Sequence, residues 1–231
     1  MHWCRPPLQA ASRMPRARAV ETAQGIQGEF TVEIYDQMQR RLRDKGWIET
    51  KAIIQCGITG GSALEVGPGP GYLGLVWLKH TDGTQLTGLD ISPDMICVAR
   101  RNAAEYGFTE RTEYVESSGA AMPFDDGKFD ASFSNGSLHE WADVSKTLAE
   151  IWRVLKPGGR LFLSDLRRDM ASPVKWFMWL VTRPKEIRPG LITSINAAYT
   201  PLEVKALLAE SRFTDFTVSC NPIELQVVAG R

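Results

Sequence analysis

A doubly wound α/β fold, with a mostly parallel sheet covered by helices on both faces, is predicted by three features of this sequence. Apolar runs of strand length alternate with helix-period segments from about residue 62 onward, the βαβ pattern that leads to parallel pairing. Gly67, Gly69 and Gly71 follow the first of those runs and open a helix. A second apolar run, Gln85-Leu86-Thr87-Gly88-Leu89, ends in Asp90 just ahead of the next helix.

Two helices are expected over 27–57, before the sheet begins. Strands read at 62–66, 85–89, 112–115, 129–134 and 160–165, with helices at 71–80, 93–106 and 143–155. Ser92-Pro93-Asp94 supplies an N-cap serine and a proline at the first helical position. Lys156-Pro157-Gly158-Gly159 ends the third helix and turns directly into a strand. An excursion follows Asp165, expected to form a lid-like insertion over 166–198. Thr200-Pro201-Leu202-Glu203 then opens a helix to about 210, and two last strands fall near 213–219 and 223–229, separated by Asn221-Pro222.

Composition bounds the function classes. With 231 residues, 43% hydrophobic and 23% charged, the chain suits one globular domain with appendages. Its 27 acids balance 27 Lys and Arg, so no net charge steers it toward nucleic acid or acidic lipid. Cys4, Cys56, Cys97 and Cys220 are scattered with no C-x-x-C, which predicts a reduced, cytoplasmic protein without structural disulfides or zinc. No apolar run approaches the roughly 20 residues that span a bilayer. Residues 1–20 hold Arg5, Arg13, Arg16 and Arg18 and no acid. Sparse serine and poor periodicity favour a flexible tail over 1–26, or an upstream start ahead of Met14, over a transit peptide.

The run Leu64-Glu65-Val66-Gly67-Pro68-Gly69-Pro70-Gly71 carries the chemistry. Glycine has no Cβ, so such a turn adopts positive φ and lets a ligand approach the main chain. A carboxylate at Asp90 is placed to accept both hydroxyls of a ribose, so a nucleoside-bearing cofactor is expected. Gly69-Pro70-Gly71-Tyr72-Leu73-Gly74 matches the dinucleotide G-x-G-x-x-G fingerprint literally, but out of phase. The glycine that closes the strand is Gly67, and counting from it the third required glycine falls on Tyr72. Glu65 also has no role in the dinucleotide motif.

Glu65-x-Gly67-x-Gly69-x-Gly71 instead resembles the first motif of class I S-adenosylmethionine (SAM) methyltransferases. Phe124-Asp125-Asp126-Gly127-Lys128-Phe129-Asp130, Ser137-Leu138-His139 and Ile151-Trp152-Arg153-Val154-Leu155-Lys156-Pro157-Gly158-Gly159 are similar to later segments of its small-molecule members. Tyr35-Asp36-Gln37-Met38 is similar to a cap segment of the ubiquinone/menaquinone-biosynthesis C-methyltransferases. The likeness runs from about 30 to 165 and continues loosely to the end. It implies a Rossmann-like seven-stranded sheet with an antiparallel last strand, a helical cap, and SAM as cofactor. It also implies a small-molecule methyl acceptor, no nucleic acid, no membrane span, and a monomer or homodimer.

By the same resemblance, Glu65, Gly67, Gly69 and Gly71 line the methionine and ribose portion. Asp90 holds the ribose hydroxyls and Ile91 packs on the adenine. Gly119 and Ala120 offer backbone to the adenine edge, and Asn135 contacts the methionine moiety. Ser118 stands where the family often has an aspartate, so its contact lacks charge assistance.

Other residues stay open between two readings. His139, after the fourth strand, is either a general base or a histidine that sets its loop; Tyr35 either closes over the sulfonium, with a base role next in line, or anchors the cap. Glu140 and Trp141 either line the acceptor pocket or cap and pack the next helix. Arg167-Arg168 either bind an anion or form ion pairs, the second favoured. The all-apolar Trp176–Val181 helix is expected as a pocket lid, with a dimer contact as the plainer alternative and a membrane surface the weakest. Without a metal cluster, magnesium-dependent transfer to a catechol is disfavoured. A nicotinamide oxidoreductase and a non-catalytic SAM-binding protein are the alternative functions.

Overall fold

A computed structural model describes residues 18–19 and 26–231, apart from the side chains of Glu29 and Phe30. Two helices, α1 (Glu29–Asp44) and α2 (Thr50–Gln55), precede the sheet. The sheet then alternates with helices: β1 (Ser62–Val66), α3 (Tyr72–Lys79), β2 (Gln85–Asp90), α4 (Pro93–Glu105), β3 (Thr112–Glu116), β4 (Phe129–Asn135), α5 (Val144–Val154) and β5 (Leu155–Leu166). After β5 come α6 (Ser172–Val181), α7 (Arg188–Ala197) and α8 (Pro201–Ala209), then β6 (Asp215–Cys220) and β7 (Glu224–Gly230).

The seven strands lie in the order β3-β2-β1-β4-β5-β7-β6. Pairing is parallel from β3 to β5, and β7 runs antiparallel between β5 and β6. Chain direction away from β1 reverses between β2 and β4, so a crevice opens at the carboxyl ends of β1 and β4, where ligands bind in open α/β sheets.

Period-two alternation divides the core between the two faces. Leu64, Leu161, Leu163 and Val227 point to one face and pack with Leu148 and Ile151 of α5 and Leu208 of α8. Ala63, Leu86, Phe133 and Phe162 point to the other, against Trp77 of α3 and Ala99 of α4. Trp77 is fully buried and donates its indole N–H to Ile58 O at 2.8 Å, so a polar ring atom inside that core is satisfied.

One expectation changes. β5 begins at Leu155, before the Lys156–Gly159 segment and not after it. A register shift between Phe129 and Ala131 lets Leu155 pair with Phe129 while Pro157 and Gly158 (φ +80°) bulge outward. α6, which carries the Trp176–Val181 run expected as a pocket lid, has no buried residue. The flexible tail expected over 1–26 lies outside the described residues except for Arg18, Ala19 and Ile26, and these three bond to the body. Arg18 donates to Ala197 O (2.6 Å) and His139 O (2.7 Å), Ala19 N donates to Asn196 O (3.2 Å), and Ile26 O accepts from Ser92 Oγ (2.6 Å). No helix among the described residues is long and apolar enough to cross a membrane.

Candidate active site

The turn after β1 is fixed by three left-handed glycines with different jobs. Gly67 (φ +68°) lies against the loop after β4, where a Cβ would fall 2.6 Å from Ser137. Gly71 (φ +84°) starts α3 with its Cα side packed on Tyr114, 2.9 Å from where a Cβ would sit. Gly69 (φ +52°) meets only Tyr35 at 3.5 Å and leaves its backbone open to the crevice. Gly67 and Gly69 therefore line the cavity, whereas Gly71 is buried behind it.

Two carboxylates flank this turn. Asp90 Oδ2 accepts from Gly69 N (3.0 Å) and Oδ1 from Ser92 N (2.9 Å). Each oxygen has a further lone pair for a ligand hydroxyl. Burial pushes the Asp90 carboxyl up, opposed by these backbone N–H groups. Glu65 is 2% exposed, and its Oε2 has no hydrogen-bond partner. Gly74 makes room for it: a Cβ there would stand 2.3 Å from that oxygen. Burial, then the charge of Asp90, pushes the Glu65 carboxyl well above the usual carboxylate range.

Around these groups lies an open crevice of about 1040 Å³. Of the expected residues, Glu65, Gly67, Gly69, Asp90, Ile91, Ser118, Gly119, Asn135 and Tyr35 line it. Gly71, Ala120 and His139 do not. Ala120 N–H is taken by Ser118 Oγ at 3.2 Å, which turns that segment inward. Ile91 is 40% exposed, an apolar surface on the cavity wall.

Met95, Thr147 and Gln39 also line the cavity and were not singled out from the sequence. Met95 follows the Ser92 cap by three residues and Gln39 follows Tyr35 by four, so helical periodicity from residues already flagged would have found both.

The cap is tied down by Asp36, which is 2% exposed. It accepts from Tyr72 Oη (2.9 Å), Asn102 Nδ2 (3.0 Å) and Arg40 (3.2 Å), while Asn102 also donates to Pro70 O (2.9 Å). Asp36 thus locks α1 onto the glycine turn and leaves Tyr35 facing the crevice. Tyr35 Oη accepts from Gln39 Nε2 at 3.0 Å. Burial, with the charge of Glu140 next, pushes its phenol well above the ordinary range, so it stays protonated.

His139 is 3% exposed and sits behind Glu140 and Trp141, which do line the cavity. Its Nδ1–H donates to Asp165 Oδ1 (2.8 Å) and its backbone N–H to Asp165 Oδ2 (2.8 Å). Asp165, 2% exposed at the end of β5, also accepts from Leu166 N. Arg167 pairs with Asp169 at 2.7 Å, and Arg168 with Glu203 (2.5 Å) while donating to Ala198 O. Both arginines form ion pairs, as the favoured reading had it.

These residues fit SAM on their own geometry. An orphaned, buried carboxylate oxygen at the crevice wall calls for a cation such as the α-ammonium of a methionine moiety, and Asp90 keeps free lone pairs for ribose hydroxyls. A pyrophosphate would set like charge against Glu65 and Asp90, which weighs against a nicotinamide dinucleotide. No group of metal-ligand type is clustered among the described residues.

Comparison with known proteins agrees with that fit. Residues 64–163 match the model of a methyltransferase domain family. Demethylmenaquinone methyltransferase of Thermus thermophilus is 32% identical over 167 residues, 65% of this chain and 73% of that protein. The protein of the same name from Deinococcus radiodurans is 30% identical over 206 residues, 87% of this chain and 85% of that one. A SAM-dependent methyltransferase from Aquifex aeolicus shares the fold, with a TM-score of 0.67 at 19% identity over 89% of this chain and 99% of that one.

Proposed function

The chain belongs to the class I SAM-dependent methyltransferases, in the group that holds the demethylmenaquinone and ubiquinone/menaquinone-biosynthesis methyltransferases, and from that membership we propose that its acceptor is a small molecule held in the crevice beside Tyr35, Glu140 and Trp141. The observation that carries the reading is the unpartnered Glu65 oxygen beside Asp90, two residues ahead of the glycine turn. The nicotinamide and non-catalytic alternatives gain no support from relatives or fold.

When bound, SAM supplies a methyl group on a cationic sulfur, the electrophile for an in-line displacement. The protein's task is then alignment and water exclusion, worth several kcal/mol without a covalent intermediate. In our reading Glu65 holds the α-ammonium, Asp90 the ribose hydroxyls, and Ile91 with Met95 the adenine faces. The backbone of Gly67, Gly69 and Gly119, with Ser118 and Asn135, completes the cradle. Tyr35 closes over the reacting sulfur as a neutral phenol.

Of the two roles left open by the sequence, we assign His139 the positioning one. Asp165 engages its Nδ1 and its main chain together, its Nε2 lies 3.8 Å from Glu140 Oε1, and Glu140 and Trp141 line the crevice where the His139 ring does not. Asp165 and His139 then hold the turn that presents those two side chains. Free thiols at Cys56, Cys97 and Cys220 support a cytoplasmic setting.

Methyl-labelled SAM incubated with the protein and a cell extract tests the acceptor class. Label should appear in a low-mass product identified by mass spectrometry. Label recovered only in protein or nucleic acid would overturn the small-molecule reading.

A further inference from the structure

Among the described residues, the apolar surface of α6 is left largely uncovered. Trp176 is 64% exposed, Phe177 56%, Trp179 40%, Leu180 41% and Val181 46%. These five lie within six consecutive positions, so the patch is continuous and wraps most of the helix surface. Single exposed apolar residues are ordinary on a protein surface, but a contiguous group such as this marks a contact surface.

The charges around it are one-sided. Between residues 170 and 195 stand Lys175, Arg183, Lys185 and Arg188 against a single acid, Glu186. The whole chain is balanced at 27 acids and 27 Lys and Arg, so this excursion is basic and the remainder of the protein is acidic by the same margin. The Arg188 guanidinium lies 4.3 Å from the ring centre of Trp179, and Arg183 and Arg188 both donate to Leu180 O. The cations therefore flank the aromatic face.

Apolar aromatics rimmed by Lys and Arg match a lipid surface, where tryptophan sits at headgroup depth and basic side chains meet anionic phosphates. Two copies of the chain meeting at this face would set the same excess of Lys and Arg against itself, which argues against a second copy as the occupant. We propose that α6 and its basic flanks dock this enzyme on an anionic membrane surface, without spanning it. The surface lies at the crevice end of the sheet: α6 follows the carboxyl end of β5, and α7 packs against the turn that carries His139. A docked enzyme would thus face the bilayer with the mouth of its acceptor site. The inference stands on α6 alone and not on the identity of the acceptor.

Co-flotation of the full chain with phosphatidylcholine vesicles, with and without phosphatidylglycerol, tests it. The protein should float with the anionic vesicles, stay behind with the neutral ones, and be released by high salt, which screens the basic rim. Trp176→Ser with Phe177→Ser should weaken flotation more than tenfold while leaving the melting temperature and SAM affinity in place, since neither residue is buried or lines the crevice. Lys185→Glu with Arg183→Glu should abolish the preference for anionic lipid. Failure of the wild type to float with anionic vesicles would overturn the proposal. So would unchanged flotation of the aromatic variant, or a dimer in sedimentation that the aromatic variant dissolves.

Discussion

Replacing Glu65 by glutamine keeps the size of the side chain and removes its charge. In the wild type this residue is 2% exposed, its Oε2 is unpartnered, and its carboxyl is held well above the usual range by burial and by Asp90. A ligand ammonium set against that oxygen forms a charge-assisted hydrogen bond worth about 1.5–3 kcal/mol. At about 1.36 kcal/mol per tenfold, Glu65→Gln should bind SAM roughly 10- to 150-fold more weakly. 5′-Methylthioadenosine carries no ammonium and should bind both proteins alike. Stability should move the other way. Because the folded-state pKa of Glu65 lies above its unfolded value, its contribution to stability is complete below the unfolded pKa and is lost as pH rises through the folded one. The unliganded wild type should therefore lose melting temperature across that window. The glutamine variant should lack that part of the slope and melt higher at its alkaline end. Titration calorimetry with both ligands and scanning calorimetry at stepped pH read these out. Equal SAM affinity for the two proteins, or equal losses for SAM and methylthioadenosine, refutes the reasoning.

Three further outcomes follow from named contacts. Asp90→Ala removes acceptors for Gly69 N and Ser92 N, so SAM affinity should fall at least tenfold with the fold retained at a cost of about 2 kcal/mol, roughly 5 °C in Tm; calorimetry showing unchanged affinity would remove Asp90 from the site. Asp36→Ala strands Tyr72 Oη and Asn102 Nδ2 beneath the turn and should cost about 2–4 kcal/mol in urea unfolding, with the exposed arginine partners adding little; a loss under 1 kcal/mol would show the cap is held by other contacts. His139→Ala and Asp165→Asn should lower kcat and weaken acceptor KM together, with SAM affinity kept and the pH profile unshifted; a kcat loss confined to one limb of the pH profile would mark His139 as a base.

Local chemistry made much of this legible. The glycine turn, Asp90 and Ile91 sit at strand ends, and a strand end followed by a helix is written in composition over a few residues. The same holds for the Ser92 cap and for the helix start at Thr200, where the structure shows a capping box with Glu203. What the sequence hid depends on long-range packing. The anchoring role of Asp36 needs partners 36 and 66 positions away, and nothing local separates it from a surface acid. His139 stayed open between a base and a loop-setting histidine because the partner of its ring, Asp165, lies 26 residues on. The Lys156–Gly159 segment carries every local breaker signal, yet the ladder with β4 continues through it by a bulge. For α6, apolar composition marks a surface to be covered, but what covers it is not written in the local sequence.

A crystal structure of the complex with S-adenosylhomocysteine tests the central claim most directly. The account predicts the amino group within about 3 Å of Glu65 Oε2, and both ribose hydroxyls at the same hydrogen-bonding range of Asp90. An adenosyl group seated elsewhere, or an amino group turned away from Glu65 with that carboxylate still unpartnered, would contradict it.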